Sequence, residues 1–302
     1  MKRTTDKVDG CATFHKVSKF SVQEVIKVPY VHRDGGDVLN KDNVAIIVKL
    51  QALSDSVSGS KTLVVANTHL LFNPRRGDIK LAQLMMMLAE VDKCAYMDSV
   101  GSRCTYQPVV MCGDFNSIPH SELYKLMIMG HMEYEGISGR DISGQEPYRG
   151  YGPANYLKHD FMPPAVGISD NCQYCHLAQE RGITSQRAAF ETRQSSGFLK
   201  HNLQLISVYE HWCKRHGHYY PEVSTHHGKS NSTVDYIFYG VLSGLVRFNN
   251  GEVQTKDVQD GKLSLLGRFG LLTDAELTKM GSLPNNNFGS DHLALVANFL
   301  FT

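Results

Sequence analysis

No run of eighteen apolar residues occurs in this 302-residue sequence, which excludes a membrane-spanning helix. Neither sign of charge dominates. Thirty-one Lys and Arg stand against thirty Asp and Glu, a formal net charge of +1. That balance excludes a polybasic nucleic-acid arm and an acidic solvating tail, while leaving room for a local basic cleft. Solenoid periods, collagen triplets and heptads are absent. Residues 1–20 (MKRTTDKVDGCATFHKVSKF) lack the apolar stretch of a secretory signal. The cysteines Cys11, Cys94, Cys104, Cys112, Cys172, Cys175 and Cys213 are odd in number and scattered. They suit a reduced intracellular protein, cytoplasmic or nuclear, better than a disulfide framework. What is present is ordinary globular composition, 42% hydrophobic and 20% charged, in a chain long enough to bury a substantial core.

Strand and helix patterns alternate irregularly. Phe20–Tyr30, Val44–Leu50 and Leu63–Leu70 (LVVANTHL) predict strands by alternation and β-branched content. Leu81, Leu84, Met85, Leu88 and Val91 recur at spacings of three and four, which predicts a long helix with Asp78 as N-cap and Met85-Met86-Met87 in its core. Val109–Cys112 is a wholly apolar run ending at Gly113, the pattern of a buried central strand. A second helix is expected from Ser121 to Met129. Between Gly136 and Lys200 the pattern dissolves into Gly, Ser, Pro, Gln and Asn. This reads as an irregular insertion, about residues 138–200, rather than a domain boundary, because ordered strands resume after it. Thr233–Tyr239 (TVDYIFY), Lys262–Arg268 and Leu293–Phe301 are expected strands, and Thr-Asp-Ala-Glu at 273–276 opens a helix with a capping box. Mixed strands and helices without regular alternation imply an α/β fold of packed β-sheets.

Four short segments share one form, in which an apolar strand delivers polar residues to its end. They are Asn67-Thr68-His69, Gly113-Asp114-Phe115-Asn116, Val234-Asp235-Tyr236 and Ser290-Asp291-His292. One Asp at a strand end is ordinarily a turn or cap residue. As a set, three Asp, two His and two Asn at strand ends can converge on one mouth of a sheet sandwich, where each alone would be costly to bury. Other patterns have plainer readings. Cys172-Gln173-Tyr174-Cys175-His176 spells a haem-like or zinc-like pattern, yet it lies in the irregular insertion with no second pair at metal-binding spacing. His211, His216, His218, His226 and His227 lack strict metal spacing and read as solvated loop residues. Asn231-Ser232-Thr233 is a glycosylation sequon without meaning inside a cell.

GDFN after an apolar strand, VDYIF much later and SDH near the end of the chain resemble the exonuclease–endonuclease–phosphatase superfamily. The longer segments DGCATFHKVSKFS, DNVAIIV, VVANTHLLFNPRRGDIKLAQL, VVMCGDFNSIPHSELY and LPNNNFGSDHLAL resemble more narrowly the Angel proteins, relatives of nocturnin and the poly(A) deadenylases. The resemblance spans Asp9 to Phe299 and is weakest between Ser138 and Lys200. It implies a four-layer α/β sandwich, two packed β-sheets flanked by helices, as one domain over residues 9–302. It also implies Mg²⁺-dependent cleavage of a phosphate ester on RNA. Angel proteins are associated with removing 2′,3′-cyclic phosphates from RNA 3′ ends, and the alternative is a 3′–5′ exoribonuclease acting on poly(A).

Residue by residue, the resemblance implies that His292 contacts the scissile phosphate and that Asp235 orients this imidazole and favours its charged form. Asp114 would align or deprotonate the attacking water, Asn116 would help hold that water and a phosphate oxygen, and His69 would make a second phosphate contact. Asp291 would reach the Mg²⁺, directly or through water. Arg75 and Arg76, just after His69, are candidates to hold RNA phosphate, because the guanidinium fork suits phosphate oxygens.

The family begins with a strand carrying an Asn, then a Leu-Gln-Glu segment whose Glu is the principal metal ligand, both upstream of DGCA. Here DGCA begins at Asp9, so the resemblance implies that both precede Met1 and that the first strands are missing. Val22-Gln23-Glu24-Val25 spells something close to that motif but follows DGCATFHK, where Glu24 is expected to be a solvated edge-strand residue. A second class of function therefore stands beside the enzyme: a catalytically impaired chain that binds RNA or a partner without turnover.

Overall fold

The structure, a computed structural model, describes residues 1–53, 61–101, 103–158, 161–183, 196–215, 217–228, 230–249 and 252–302. His216 of the histidine cluster lies outside them. Among the described residues, no helix is long and apolar enough to cross a membrane.

Alternating apolar residues make β1 (Phe20–Pro29), β2 (Val44–Ala52) and β3 (Thr62–His69), an antiparallel meander. Helix α1 (Gly77–Ala95) then carries the chain over the sheet to β4 (Val109–Asp114), which pairs with β3 in parallel. A parallel neighbour needs such a crossover, since a hairpin cannot return the chain in the same direction. Helix α2 (Glu122–Met129) follows, capped by the Ser121 hydroxyl, which accepts from Tyr124 N at 3.3 Å, and ended by Gly130 at φ 75°. Strands β5 (Leu205–Ser207) and β6 (Asp235–Gly240) complete a six-stranded sheet in the order β1-β2-β3-β4-β6-β5.

One face of the sheet carries the helices. Met85, Met86 and Met87 are 0%, 6% and 0% exposed. Successive helical residues point about 100° apart, so the sheet alone cannot cover all three. The rest of the cover comes from the irregular segment, whose Ile142, Leu157, Met162, Val166, Ile168 and Cys172 share one core with α1. Polar ties fasten it there. Gln173 Nε2 and Arg181 donate to the Asp92 carboxylate at 2.7 and 2.5 Å, and the Tyr174 hydroxyl donates to Glu90 at 2.6 Å.

The other face carries β7 (Leu263–Arg268) and β8 (Ala297–Phe301), an antiparallel pair that forms a second, two-stranded sheet packed on the first. Leu263 joins Tyr239 in a separate core, with Leu63, Val110, Ile237 and Phe299 packed against it. The Tyr239 and Phe299 rings meet edge to face at 5.0 Å. The expected packing of two sheets is thus present. The helix α3 (Asp274–Met280) opens with the expected capping box between Thr273 and Glu276.

Several expectations are corrected. Asp78 is not the N-cap of α1: Arg76 holds that position, and Asp78 stands in the first turn with its carboxylate gripped by the Arg76 guanidinium at 2.9–3.1 Å. The last strand begins at Ala297 rather than Leu293, because Leu293 N donates to Ser224 O at 2.7 Å and Val296 N to the Tyr209 hydroxyl at 3.0 Å. His211 and His226 are buried rather than solvated. His211 Nε2 shares a 2.8 Å hydrogen bond with the Tyr124 hydroxyl, and burial pulls its pKa down to about 3, so it is a neutral member of the core. None of the seven cysteines is in a disulfide, and burial raises the Cys172 thiol pKa far above its ordinary value.

Candidate active site

Strand register places three of the singled-out residues side by side. His69 pairs with Asp114 across the parallel β3–β4 ladder, and Asp114 pairs with Asp235 across the antiparallel β4–β6 ladder. Three neighbouring strands therefore present these side chains at one end of the sheet. Gly113 permits the approach. Its φ is +137°, and an added Cβ would stand 1.9 Å from Thr68 O, so only glycine fits between the strands.

The turn after β4 is fixed by its own polar groups. Asn116 lies in the left-handed region at φ 47° and is buried. Its backbone N donates to Asp114 Oδ1 at 2.8 Å and its Nδ2 to Leu70 O at 3.0 Å. Short Asx side chains tolerate this conformation because they bond locally. With Oδ1 held, Asp114 Oδ2 lies 3.4 Å from His69 Nε2 and 4.0 Å from His292 Nε2.

His292 reaches the cluster from an isolated bridge with Thr225, its N donating to Ser290 Oγ at 3.0 Å. Its Nδ1 lies 2.7 Å from Asp235 Oδ2. The same carboxylate oxygen accepts from Ser224 Oγ at 2.7 Å, while Ser224 Oγ itself accepts from Val234 N at 3.0 Å and Asp235 N at 3.1 Å. Ser224 is fully buried. It was not legible in the sequence, where it is one hydroxyl in a Ser- and Thr-rich stretch.

These contacts set the charges. The hydrogen bond to Asp235 raises the His292 pKa to about 9 against the opposing effect of burial, so the imidazole is charged at neutral pH. Burial first, and the Asp235 charge second, raise Asp114 to about 6, close to where a general base works well. Both shifts run upward, which sets a charged imidazole beside a carboxylate of raised proton affinity.

Asp114, Asp235 and His292 offer ligand atoms that all lie within 4.8 Å of one another. A charged imidazole has no lone pair to give, so near neutrality the donors are carboxylate oxygens. A hard cation that keeps several waters and takes one or two carboxylates fits that set, and Mg²⁺ is such a cation. Asp291 is not a member of this trio. Its carbonyl accepts from His226 N at 2.9 Å and Thr225 Oγ1 at 3.1 Å, and its charge helps hold the proton on His292.

The remaining candidates divide. Arg76 is occupied by Asp78, whereas Arg75 is 65% exposed and paired with Glu146 at 2.8 Å. Such an exposed pair is weak enough, about 0–1 kcal/mol, to be exchanged for a phosphate. Asn67 Nδ2 donates to Ala12 O at 3.0 Å and so ties the DGCA segment to β3. Glu24 is exposed on the edge strand, opposite Lys49 and away from the cluster.

No family model matches the chain. It is 42% identical to protein angel homolog 2 of Bos taurus over 310 residues, covering 98% of this chain and 54% of that protein. It is 36% identical to protein angel homolog 1 of Rattus norvegicus over 351 residues, covering 99% of this chain and 51% of that protein. The chain thus spans about half the length of the curated relatives it matches. Among solved structures, ANGEL2, described as a 2′,3′-cyclic phosphatase in complex with adenosine-2′,3′-vanadate, superposes with a TM-score of 0.77 at 39% identity. That match covers 99% of this chain and 72% of ANGEL2's.

Proposed function

Because the chain belongs to the Angel family of the exonuclease–endonuclease–phosphatase superfamily, we propose that it is a Mg²⁺-dependent phosphoesterase that removes 2′,3′-cyclic phosphates from RNA 3′ ends. The observation that carries this reading is the opposition of two differently tuned groups at the sheet end. His292 is charged through Asp235, and Asp114 is held as a carboxylate of raised proton affinity 4.0 Å away.

A phosphate ester seated between them meets complementary chemistry. Asp114 Oδ2 is free to accept a proton from the attacking water, because Oδ1 is already held by Asn116 N. The His292 imidazolium offers its Nε2 proton to a phosphate oxygen, while Nδ1 remains bound to Asp235. His69, 47% exposed, makes the second phosphate contact, Asn116 steadies the water, and Arg75 exchanges Glu146 for an RNA phosphate. Mg²⁺, when bound, would neutralise charge on the phosphate oxygens; the trio's carboxylates are its donors, and we assign Asp291, which lies outside the trio, a contact through water.

The adenosine-2′,3′-vanadate held by ANGEL2 joins both ribose oxygens to one centre, the connectivity of a cyclic phosphate, and so supports that substrate class over a poly(A) tail. Sharing of the α1 core by the irregular segment supports one domain over residues 9–302. Seven cysteines without a disulfide support a cytoplasmic or nuclear setting.

The test offers RNA oligonucleotides ending in a 2′,3′-cyclic phosphate, and poly(A) with a free 3′-hydroxyl, with Mg²⁺ and with a chelator. The expected result is Mg²⁺-dependent loss of the cyclic phosphate at constant RNA length. Shortening of poly(A) with cyclic ends left intact would overturn it in favour of the exoribonuclease. Binding of RNA without turnover would favour the non-enzymatic reading.

A further inference from the structure

Lys80 lies in the first half of α1 with 0% of its surface exposed, and the chemistry described above does not use it. Its Nζ donates to Asn116 O at 2.6 Å and to Gln145 Oε1 at 2.6 Å. Such short separations belong to charge-assisted hydrogen bonds. No carboxylate lies within ion-pair distance of it among the described residues. Burial pulls its pKa down to about 7, and the Asp114 charge opposes that only in part. An apolar residue of the same length would pack here without the cost of desolvating an ammonium.

We propose that Lys80 is a positioning residue of the active site, which clamps the Asp114–Asn116 turn through the Asn116 carbonyl. The proposal deepens the phosphoesterase reading and rests on it. The peptide it grips belongs to the residue in the left-handed conformation, whose N–H orients Asp114 Oδ1 and whose Nδ2 reaches Leu70 O. Released from Lys80, that turn loses the bond on its carbonyl, and the carboxylate that faces both imidazoles loses its fixed orientation. Gln145 belongs to the segment that roofs α1, so Lys80 also joins that roof to the catalytic turn. Ser143 repeats the link on one side, accepting from Ile118 N through its carbonyl at 3.0 Å and donating to Pro74 O at 3.3 Å.

The experiment compares Lys80→Met, which keeps the length and removes the N–H donors, with the unaltered protein. On RNA ending in a cyclic phosphate, kcat should fall about 10–100-fold with KM changed less than about threefold, as for a misplaced reacting group. Hydrogen exchange of the Asn116 amide should quicken at least about tenfold, while amides of β2 keep their protection. Gln145→Ala leaves the Asn116 bond in place and should cost less than about threefold in kcat, since only one of the two acceptors is lost. If Lys80→Met does not fold, Lys80→Gln, which retains N–H donors, carries the same comparison and should show a smaller loss. Unchanged kcat with unchanged Asn116 exchange would overturn the proposal. So would a loss of protection spread evenly over all strands, which marks a purely structural lysine. If the unaltered protein processes no RNA end, the phosphoesterase reading fails, and the Asn116 exchange still decides the clamp.

Discussion

Asp235 stands opposite Asp114 across the β4–β6 ladder, two carboxylates facing each other on neighbouring strands. Only one of them is saturated: Asp235 Oδ2 accepts from both Ser224 and His292, while Asp114 Oδ2 looks toward two imidazoles at longer range. The pair is therefore chemically unequal, although the two residues are identical in kind.

Asp114→Asn should leave the fold intact and lower turnover about 10²–10⁴-fold, the usual loss on removing a general base. An amide retains the size and can still accept from Asn116 N, but it cannot take a proton from water. Single-turnover kinetics with cyclic-phosphate RNA, alongside a far-UV spectrum, check both halves of the statement. Rates like those of the unaltered protein would remove Asp114 from the mechanism.

Asp235→Asn should slide the whole pH–rate profile to lower pH. The His292 pKa is about 9 in the folded protein against 6.5 ordinarily, so the alkaline limb, which follows loss of the imidazolium, should fall back toward 6.5. The acidic limb should move down as well, because Asp235 is one of the charges that hold the Asp114 pKa near 6. Stability follows the same pairing. A raised histidine pKa contributes stability that is complete below pH 6.5 and disappears as pH rises through 9. Titration of the His292 ring protons by NMR in both proteins measures the shift directly, and an unmoved pKa would count against the pairing.

Gly113→Ala should destabilise the protein by about 3 kcal/mol or more, from a strained backbone added to a lost strand contact. The φ of +137° and the 1.9 Å approach to Thr68 O leave a methyl group no place unless β3 and β4 part. Denaturant unfolding gives the number, and a change below about 1 kcal/mol would show that the ladder can yield.

Ser224→Ala should lower activity about 10–100-fold, the cost typical of removing a group that orients a reacting one. It also strands two backbone N–H donors, those of Val234 and Asp235, for a further loss of about 1–3 kcal/mol in stability each. Kinetics and denaturation on the same sample separate the two effects, and full activity would make Ser224 only a structural hydroxyl.

The strands and the acid, amide and imidazole of the cluster were legible because their signals are local. Alternating β-branched residues and apolar runs ending in GDFN or VDYIF carry the pattern within a few positions. Lys80 was not, since a lysine between Ile79 and Leu81 reads as solvent-facing until residues 138–158 and 161–183 are seen to roof the helix. His211 was misread for the same reason: its burial depends on Tyr124, far back in the chain. Asp78 misled differently. It is a good N-cap by type, but the guanidinium two residues earlier holds its carboxylate, and no propensity records that pairing.

The parallel placement of β4 beside β3 governs when chemistry becomes possible. His69 and Asp114 become neighbours only after α1 has docked, because the chain must cross the sheet to bring β4 alongside. Asp235 enters from well downstream, and His292 follows it 57 residues later. Contacts so distant in the chain form late, since loop closure must precede any gain from them. A nascent chain whose last strand is still in the ribosome tunnel can hold the carboxylate and its first imidazole, yet it has no imidazolium to set against them. The cluster is whole only when all four segments have met, so its chemistry belongs to the finished sheet and to no part of it.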